Sequence, residues 1–374
     1  MDAFYVSVEL QRRPDLRGLA VVVAGSGPRA VVTTASYEAR RFGVFSATPA
    51  ERARRLCPQA IFIPPDFEAY RETSREVMRV LRAHVERVEV VGLDEAYLDL
   101  SGFERPRAAA RRVKAAVQEA TGLGCSIGIG PNKLVAKVAS DAEKPDGFVE
   151  LSAQQARERF AGARPGLVPG IGPKTAERLD RQGIATLGEL GATPGERLTE
   201  WFGPRLGPWL GRLARFEDER GIETVRVAKS ESRETTFDRD LRGLAELEPQ
   251  LMRLTEQLCS TLAQQERRGR TIGIKVRFDD FTTVTRSESR RVPTDTTKEI
   301  HAAARRLAER VDLTRPVRLI GVAASNLEPG DTPRQSSVDS VPEWDNLADA
   351  VESVRRRFGD ASIEPATLLE RENR

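Results

Sequence analysis

The chain has 374 residues, of which 39% are hydrophobic and 31% charged. This length predicts two or more domains, and no run of about 18 apolar residues predicts a membrane-spanning helix. The net charge of +3 permits a nucleic-acid partner without requiring one. Two histidines and three widely spaced cysteines exclude a His-rich metal site and a disulfide framework, so we expect a cytoplasmic protein with no membrane partner.

Strands and helices alternate over residues 1–152. The opening "MDAFYVSVEL" predicts a strand, because Phe4, Val6 and Val8 would share one of its faces. The runs "TTASYEARRFG" and "PPDFEAYRETSREVMRVLRAHV" predict helices, and "VEVVGLDEAYLDLSG" predicts two short strands around an acidic turn. This part therefore indicates an α/β unit.

The rest of the chain divides into four segments with different predicted structures. Residues 153–222 predict short helices broken by glycine, and 223–230 a polar linker. Strands and helices return over 231–328, and 329–374 are a tail that begins rich in Pro, Ser and Asp. The expected fold class is a mixed α/β and α+β multidomain protein.

Two adjacent carboxylates, Asp94 and Glu95, lie at the predicted acidic turn. Neighbouring carboxylates repel each other unless a positive charge lies between them. Mg²⁺ favours one or two carboxylates together with substrate phosphates. The turn therefore predicts a metal site, and an ordinary acidic hairpin is the alternative.

Three residues in "TTASYEARRFG" are spaced by three: Thr34, Tyr37 and Arg40. On a helix they would lie along one edge, where a hydroxyl, a phenol and a guanidinium suit a polyphosphate. The alternative is a solvated helix face.

Three lysines follow the glycine-rich turn of "SIGIGPNKLVAKVASDAEKPDG": Lys133, Lys137 and Lys144. They are candidates for neutralising phosphate, although the spacing of a Walker A loop is absent. An ordinary helix surface is the alternative.

The run "VPGIGPKTAERL" predicts a helix–hairpin–helix. Gly170 and Gly172 would let the backbone approach a DNA phosphate, with Lys174 at the start of the following helix. A tight turn between helices is the alternative.

In "TIGIKVRFDD", alternate residues predict a strand with one apolar face, while Lys275 and Arg277 point the other way. Together with Arg286, Arg290 and Arg291 of the next strand, they predict a basic outer face for a duplex. Solvated polar positions are the alternative.

These features resemble the Y-family lesion-bypass DNA polymerases of the bacterial polymerase IV type. The matching runs are "DAFYVSVE", "VVTTASYEARRFGV", "LDEAYLD", "SIGIGPNKLVAKVASDAEKPDG", "VPGIGPKTAERL", "KSESRETTF" and "RLIGVAASNL". The resemblance implies a right-hand arrangement of fingers (4–66), palm (1–3 plus 67–152), helix–hairpin–helix thumb (153–222) and little finger (231–328).

The activity that the resemblance implies is template-directed addition of deoxynucleotides to a primer 3′ end in translesion synthesis. Its implied partners are primer–template DNA and deoxynucleoside triphosphates, its cofactors two Mg²⁺ ions, and its oligomeric state a monomer.

The resemblance also assigns roles to single residues. Asp94 would bind metal and Glu95 would act beside it in catalysis. Tyr5 would be a steric gate that excludes a ribose 2′-OH, with Phe4 packed behind it. The residues that would hold the triphosphate are Thr34, Tyr37, Arg40 and Lys144.

The opening run departs from the family pattern. In the family, an apolar strand carries a metal-binding aspartate just before the position of Met1. Asp2 would lie roughly 6.6 Å further along a strand, too far to replace it, so only the backbone carbonyl of Met1 is a candidate ligand here. We therefore expect a short apolar stretch ending in Asp to be encoded upstream.

Two other hypotheses remain. The first is a catalytically inactive relative that binds primer–template DNA, and the second is a generic helix–hairpin–helix DNA-binding protein. In the tail, the peptide at Gln335 is the candidate for docking on a sliding clamp, although it lacks leucine and aromatic anchors.

Overall fold

The computed structural model describes most of the chain. The described residues are 1–330, Val354, Arg357 and Ser362. None of the helices formed by these residues is both long enough and apolar enough to cross a membrane.

The chain divides into two units. The first contains Met1–Ser26 and Ala30–Arg226, and the second contains Gly27–Arg29 and the chain from Val227 onward. The main division lies within the segment predicted as a linker, 223–230.

Helices and short strands alternate through most of the first unit. Its helices are α1 (Phe4–Arg12), α2 (Tyr37–Arg40), α3 (Ala50–Leu56), α4 (Phe67–His84), α5 (Pro106–Thr121), α6 (Lys133–Ala142), α7 (Ala153–Phe160), α8 (Pro173–Arg181), α9 (Leu187–Ala192) and α10 (Gly195–Ala214). Its strands are β1 (Val21–Ala24), β2 (Val32–Ala35), β3 (Ile61–Ile63), β4 (Val88–Val90), β5 (Ala96–Leu98), β6 (Ile127–Ile129) and β7 (Phe148–Glu150).

The prediction of a strand at the start of the chain is wrong. Ala3 has a left-handed backbone, with φ 44°, and helix α1 begins at the next residue. Phe4, Val6 and Val8 are all buried, because α1 contacts β1 and β2 as well as α4. A helix enclosed on several sides buries residues two apart, so the short period-2 pattern did not identify a strand.

Three small sheets organise the first unit. Strand β1 pairs antiparallel with β2 and parallel with β3. The predicted acidic hairpin is confirmed, because β4 and β5 pair antiparallel on either side of the turn. Strands β6 and β7 form a parallel pair.

Helices α7 to α10 confirm the helical character predicted for residues 153–222. Their buried leucines form one core together with apolar residues of α6. The fully buried leucines of this helical segment are Leu179, Leu187, Leu190, Leu198 and Leu210.

Up to residue 330, the second unit forms a four-stranded antiparallel sheet with two helices on one face. Its elements are β8 (Ser230–Leu241), α11 (Gly243–Gln264), β9 (Arg267–Phe278), β10 (Thr283–Thr294), α12 (Thr297–Ala308) and β11 (Val317–Pro329). The strand order is β10-β9-β11-β8. The alternation predicted for "TIGIKVRF" is confirmed, since Ile272, Ile274, Val276 and Phe278 are buried against the helices.

Candidate active site and nucleic-acid contacts

A cavity of about 170 Å³ in the first unit joins residues from distant parts of its sequence. It brings together the predicted gate, the predicted phosphate ligands and one of the two predicted metal-site carboxylates. Its lining residues are Met1, Ala3, Phe4, Tyr5, Thr33, Thr34, Tyr37, Arg40, Ser46, Asp94 and Lys144. Thr33 and Ser46 did not stand out in the sequence, because an isolated hydroxyl carries no pattern.

The phosphate candidates do not share one helix, as their spacing predicted. Thr34 lies in strand β2, whereas Tyr37 and Arg40 form the ends of the single-turn helix α2. Ser36 ends the strand and caps the helix, because its hydroxyl accepts a hydrogen bond from Ala39 N–H. The strand-to-helix turn still directs all three side chains into the cavity.

Tyr37 and Arg40 form a polar wall that suits an anion. The Arg40 guanidinium lies over the Tyr37 ring, 4.6 Å from its centroid, and donates to the Ala35 carbonyl. The Tyr37 hydroxyl is buried and has no hydrogen-bond partner within the described part of the chain. A buried hydroxyl of this kind is satisfied when it donates a hydrogen bond to a ligand oxygen.

Tyr5 lies in the first turn of α1, inside an aromatic cluster. Its ring stacks on Tyr70 with a centroid separation of 4.6 Å and meets the edge of Phe67 at 5.9 Å. Burial, and then the negative charge of Asp94, raises the pKa of Tyr5. Its phenol therefore stays neutral at physiological pH.

The acidic turn holds Asp94 and Glu95 between β4 and β5. The amides of Val91 and Gly92 both donate to the Glu95 carbonyl, which closes the turn. The terminal ammonium of Met1 donates to the backbone carbonyl of Asp94 at 2.8 Å, so the Met1 backbone lies beside the turn. Asp94 lines the small cavity, whereas Glu95 faces a neighbouring groove.

A chain of charges connects the turn to Lys144. Lys137 forms an ion pair with Glu95, and its Nζ also lies 3.3 Å from Asp141. Asp141 in turn receives the ammonium of Lys144 at 2.6 Å. Burial lowers the pKa of Lys137, but its bonds to Glu95 and Asp141 outweigh this effect and raise it.

The three predicted phosphate lysines therefore differ in position. Lys144 lines the cavity and Lys137 contacts a catalytic candidate. Lys133 is buried and pairs with Glu89 at 2.6 Å, so its charge is already neutralised within β4 and α6. Lys133 does not line the small cavity.

Asp2 has a structural role in this arrangement. Its buried carboxylate accepts hydrogen bonds from the Ser126 hydroxyl at 2.9 Å and from the Asp146 amide at 2.8 Å. These bonds occupy both oxygens and hold the loop that contains Lys144.

The donor set fits a cation that is held partly by its substrate. The described residues contain no group of three or more His, Cys, Asp or Glu side chains that could hold a metal ion by itself. Asp94 and Glu95 supply two adjacent carboxylates, and the Met1 backbone lies next to them. Mg²⁺ sites of the nucleotide-binding kind use one or two carboxylates and complete their shell with phosphate oxygens and water.

A larger groove, of about 1040 Å³, lies beside the cavity and is partly apolar. Both β5 and β6 line it, although within residues 1–330 the first pairs only with β4 and the second only with β7. Apolar residues of α4 and α5, among them Met78 and Val113, form another part of its wall. Met1 and Asp94 lie at its junction with the small cavity.

The predicted hairpin before α8 has the backbone geometry that its glycines suggest. Gly170 has φ +100°, and a Cβ there would lie 2.5 Å from the Trp209 ring. Gly172 is the N-cap of α8 with an extended backbone and open space around its missing side chain. Lys174, in the first turn of α8, is exposed.

In the second unit, the strand register corrects one part of the predicted basic face. Lys275 pairs with Thr285 and Arg277 with Thr283 on the open face of the sheet. Arg286 pairs with Ile274, so its side chain points to the face of the sheet that carries the helices. Arg286 is still exposed there, because β10 is an edge strand of the sheet. The expectation that Arg286 shares the face of Lys275 is thus wrong.

Arg290 also lies on the helix side, where it forms an ion pair with Glu299 of α12 at 2.9 Å. On the open face, Lys275 contacts Glu234 at 2.8 Å, so its charge is partly compensated. The clamp-binding candidate Gln335 lies outside the described residues.

The chain was compared with known proteins. Residues 1–141 match the impB/mucB/samB family, and residues 228–338 match the impB/mucB/samB family C-terminal domain. DNA polymerase IV of Streptomyces coelicolor is 42% identical over 333 residues, covering 87% of this chain and 70% of the relative. DNA polymerase IV of Desulfatibacillum aliphaticivorans is 37% identical, covering 99% of this chain and 95% of the relative.

A solved structure, a Y-family DNA polymerase chimera, is similar with a TM-score of 0.78 at 26% identity. It matches 87% of this chain and 96% of its own length. These relatives give no support to the alternative of an inactive DNA-binding protein. The chain therefore belongs to the impB/mucB/samB family of Y-family DNA polymerases, with relatives of the DNA polymerase IV type.

Proposed function

We propose that this chain catalyses template-directed addition of deoxynucleotides to a primer 3′ end, with release of pyrophosphate, in translesion synthesis. Family membership implies that it binds primer–template DNA and deoxynucleoside triphosphates and that it depends on a divalent metal ion. The observation that carries the proposal is the small cavity, where an aromatic ring, cationic and hydroxyl groups and a carboxylate converge.

Each wall of the cavity suits one part of a nucleotide. Arg40 and Lys144 supply positive charge for the triphosphate, and the Tyr37 hydroxyl, which is unpaired among the described residues, supplies a donor. Tyr5, which also lines the cavity, supplies an aromatic surface for the sugar. In phosphoryl transfer the protein contributes position and charge rather than a nucleophile, so the absence of a histidine base is consistent with the reaction.

We propose two Mg²⁺ ions as the metal, held by Asp94 and Glu95 with the Met1 carbonyl beside them. When bound, such ions activate the primer 3′-OH and stabilise the leaving oxygen. For Glu95 to become a ligand, its ion pair with Lys137 must open. Asp141 then offers the Lys137 ammonium a second partner 3.3 Å away.

The remaining partner assignments are also proposals. A monomer in a reducing cytoplasm is consistent with three cysteines that are all buried. Clamp docking through the tail stays a hypothesis, and a pull-down in which Gln335→Ala binds clamp as well as the unchanged chain would remove it.

Primer extension tests the metal assignment. Asp94→Asn and Glu95→Gln should each lower incorporation by a factor of about 100 or more, because each removes a charge that the transition state needs. Glu104→Gln is the matched control, since Glu104 is an exposed carboxyl that lines neither cavity nor groove. Equal losses in all three variants would contradict the assignment.

A further inference from the structure

The ring of Tyr5 contacts three aromatic rings that differ in burial. Phe67, which meets its edge, is 42% exposed. Phe4 is buried, with its ring centroid 5.6 Å from that of Tyr5, and Tyr70 is fully buried, with its centroid nearer at 4.6 Å. Tyr70 is therefore the nearest buried support of the Tyr5 ring, and it does not itself line the cavity.

Tyr70 is fixed by a carboxylate inside the protein. Its hydroxyl donates to Glu9 Oε1 at 2.7 Å, and Glu9 is only 4% exposed. Burial, together with the negative charge and hydrogen bond of Glu9, raises the pKa of Tyr70, although the Asp66 hydrogen bond opposes the rise. The phenol therefore stays a donor at every physiological pH.

The three residues form a closed arrangement. Tyr5 and Glu9 lie one turn apart on α1, so Tyr5 contacts the face of the Tyr70 ring while Glu9 holds its hydroxyl. Arg12 extends the network, because its guanidinium lies 3.6 Å from Glu9 and 2.8 Å from Asp66. Asp66 in turn caps α4, the helix that carries Tyr70.

We propose that Glu9 and Tyr70 are positioning residues for sugar selection, and that the buried Glu9–Tyr70 hydrogen bond sets how closely the Tyr5 ring approaches the nucleotide 2′ position. This inference rests on the proposed role of Tyr5. A gate of this kind separates two sugars by one hydroxyl, so a ring displaced by a fraction of an ångström admits more of the larger substrate.

The test compares incorporation of a deoxynucleotide with that of the matching ribonucleotide, as a ratio of kcat/KM values, in a chain form active in primer extension. Tyr70→Phe keeps the ring and removes the hydroxyl, and Glu9→Leu removes the acceptor. Each should lower the ratio about tenfold, as the loss of one buried hydrogen bond would. Glu9→Gln keeps an acceptor oxygen and should retain the ratio within about threefold.

Two further variants separate positioning from general damage. Val80→Ala lies on the same helix as Tyr70 but packs into a different cluster, so it should lower the melting temperature and leave the ratio unchanged. The double variant Glu9→Leu/Tyr70→Phe should lose no more selectivity than either single variant, because both remove one interaction.

Tyr5→Ala distinguishes failure of this inference from failure of the proposed function. If Tyr5→Ala loses selectivity while Tyr70→Phe and Glu9→Leu keep it, the positioning role is wrong and the gate stands. If Tyr5→Ala keeps full selectivity, the gate itself is wrong. Should Glu9→Leu fail to fold, Tyr70→Phe decides the question alone.

Discussion

The two glycines of the hairpin before α8 are separated by one residue, but we expect alanine to have different effects at the two positions. Gly170→Ala forces a side chain onto a backbone with φ +100° and directs its Cβ to 2.5 Å from the Trp209 ring. A left-handed backbone costs an L-residue roughly 1–2 kcal/mol, and an overpacked contact adds roughly 1–3 kcal/mol. We expect the free energy of unfolding to fall by about 3 kcal/mol.

Gly172→Ala should leave stability almost unchanged. Its backbone is extended, with φ −80°, and nothing lies within 4 Å of an added Cβ. Alanine is a poorer N-cap than glycine, which costs less than about 1 kcal/mol. The open space is the side from which a DNA phosphate would approach, so the methyl group should weaken duplex binding about threefold or more.

Urea-induced unfolding followed by tryptophan fluorescence measures the first effect, and a titration of duplex DNA at several salt concentrations measures the second. Gly172→Ala should keep the salt dependence of binding, because no charge is lost, whereas Lys174→Ala should reduce its slope by about 1. Equal stability of the two glycine variants would refute the Trp209 argument. Unchanged DNA affinity of Gly172→Ala would refute the close approach of the backbone.

Three further predictions concern single side chains. Tyr37→Phe should leave the urea midpoint unchanged, because the hydroxyl is unpaired among the described residues, and should raise the KM for the incoming nucleotide about fivefold; an unaltered KM would count against the triphosphate wall. Leu251→Ala, in the core of the second unit, should lower its free energy of unfolding by about 3 kcal/mol, and a loss near zero would mean that α11 is not packed as described. Burial raises the pKa of Asp141, but hydrogen bonds and attraction from Lys144 and Lys137 outweigh this effect and lower the pKa below its ordinary value of 3.8. The stabilisation that the Asp141 carboxylate gives is therefore complete at a pH above its ordinary pKa. It is lost as the pH falls through the lowered pKa of the folded chain. The difference in melting temperature between the unchanged chain and Asp141→Asn should hold above about pH 5 and shrink in stronger acid, and a difference that shrinks towards neutral pH would contradict this sign.

Local patterns predicted the parts of the fold in which neighbours in sequence are neighbours in space. The acidic hairpin and the alternation of Ile272 to Phe278 follow from short-range periodicity and turn chemistry. The opening helix did not follow, because α1 is covered on several sides and its burial reflects distant elements. Arg286 was assigned to the wrong face, because strand register is set by pairing with β9 rather than by β10 alone.

The candidate site also combines residues that local sequence motifs predict with residues that only the fold brings together. Tyr5, Tyr37 and Asp94 were identified from the motifs that carry the family resemblance, and the structure brings them to one cavity. The residues that we propose to position the Tyr5 ring were not identified from the sequence. Glu9 and Tyr70 lie 61 positions apart in the sequence and read as an ordinary carboxylate and an ordinary core aromatic until the fold joins them.

The central claim is template-directed synthesis at the small cavity, and primer extension with Mg²⁺ and a single templated deoxynucleotide tests it most directly. Three forms are compared: the unchanged chain, Asp94→Asn and the surface control Glu104→Gln. We expect the unchanged chain and Glu104→Gln to add the templated nucleotide at similar rates, and Asp94→Asn to add it about 100-fold more slowly. Absence of templated incorporation by the unchanged chain, or equal rates in all three forms, would contradict the claim.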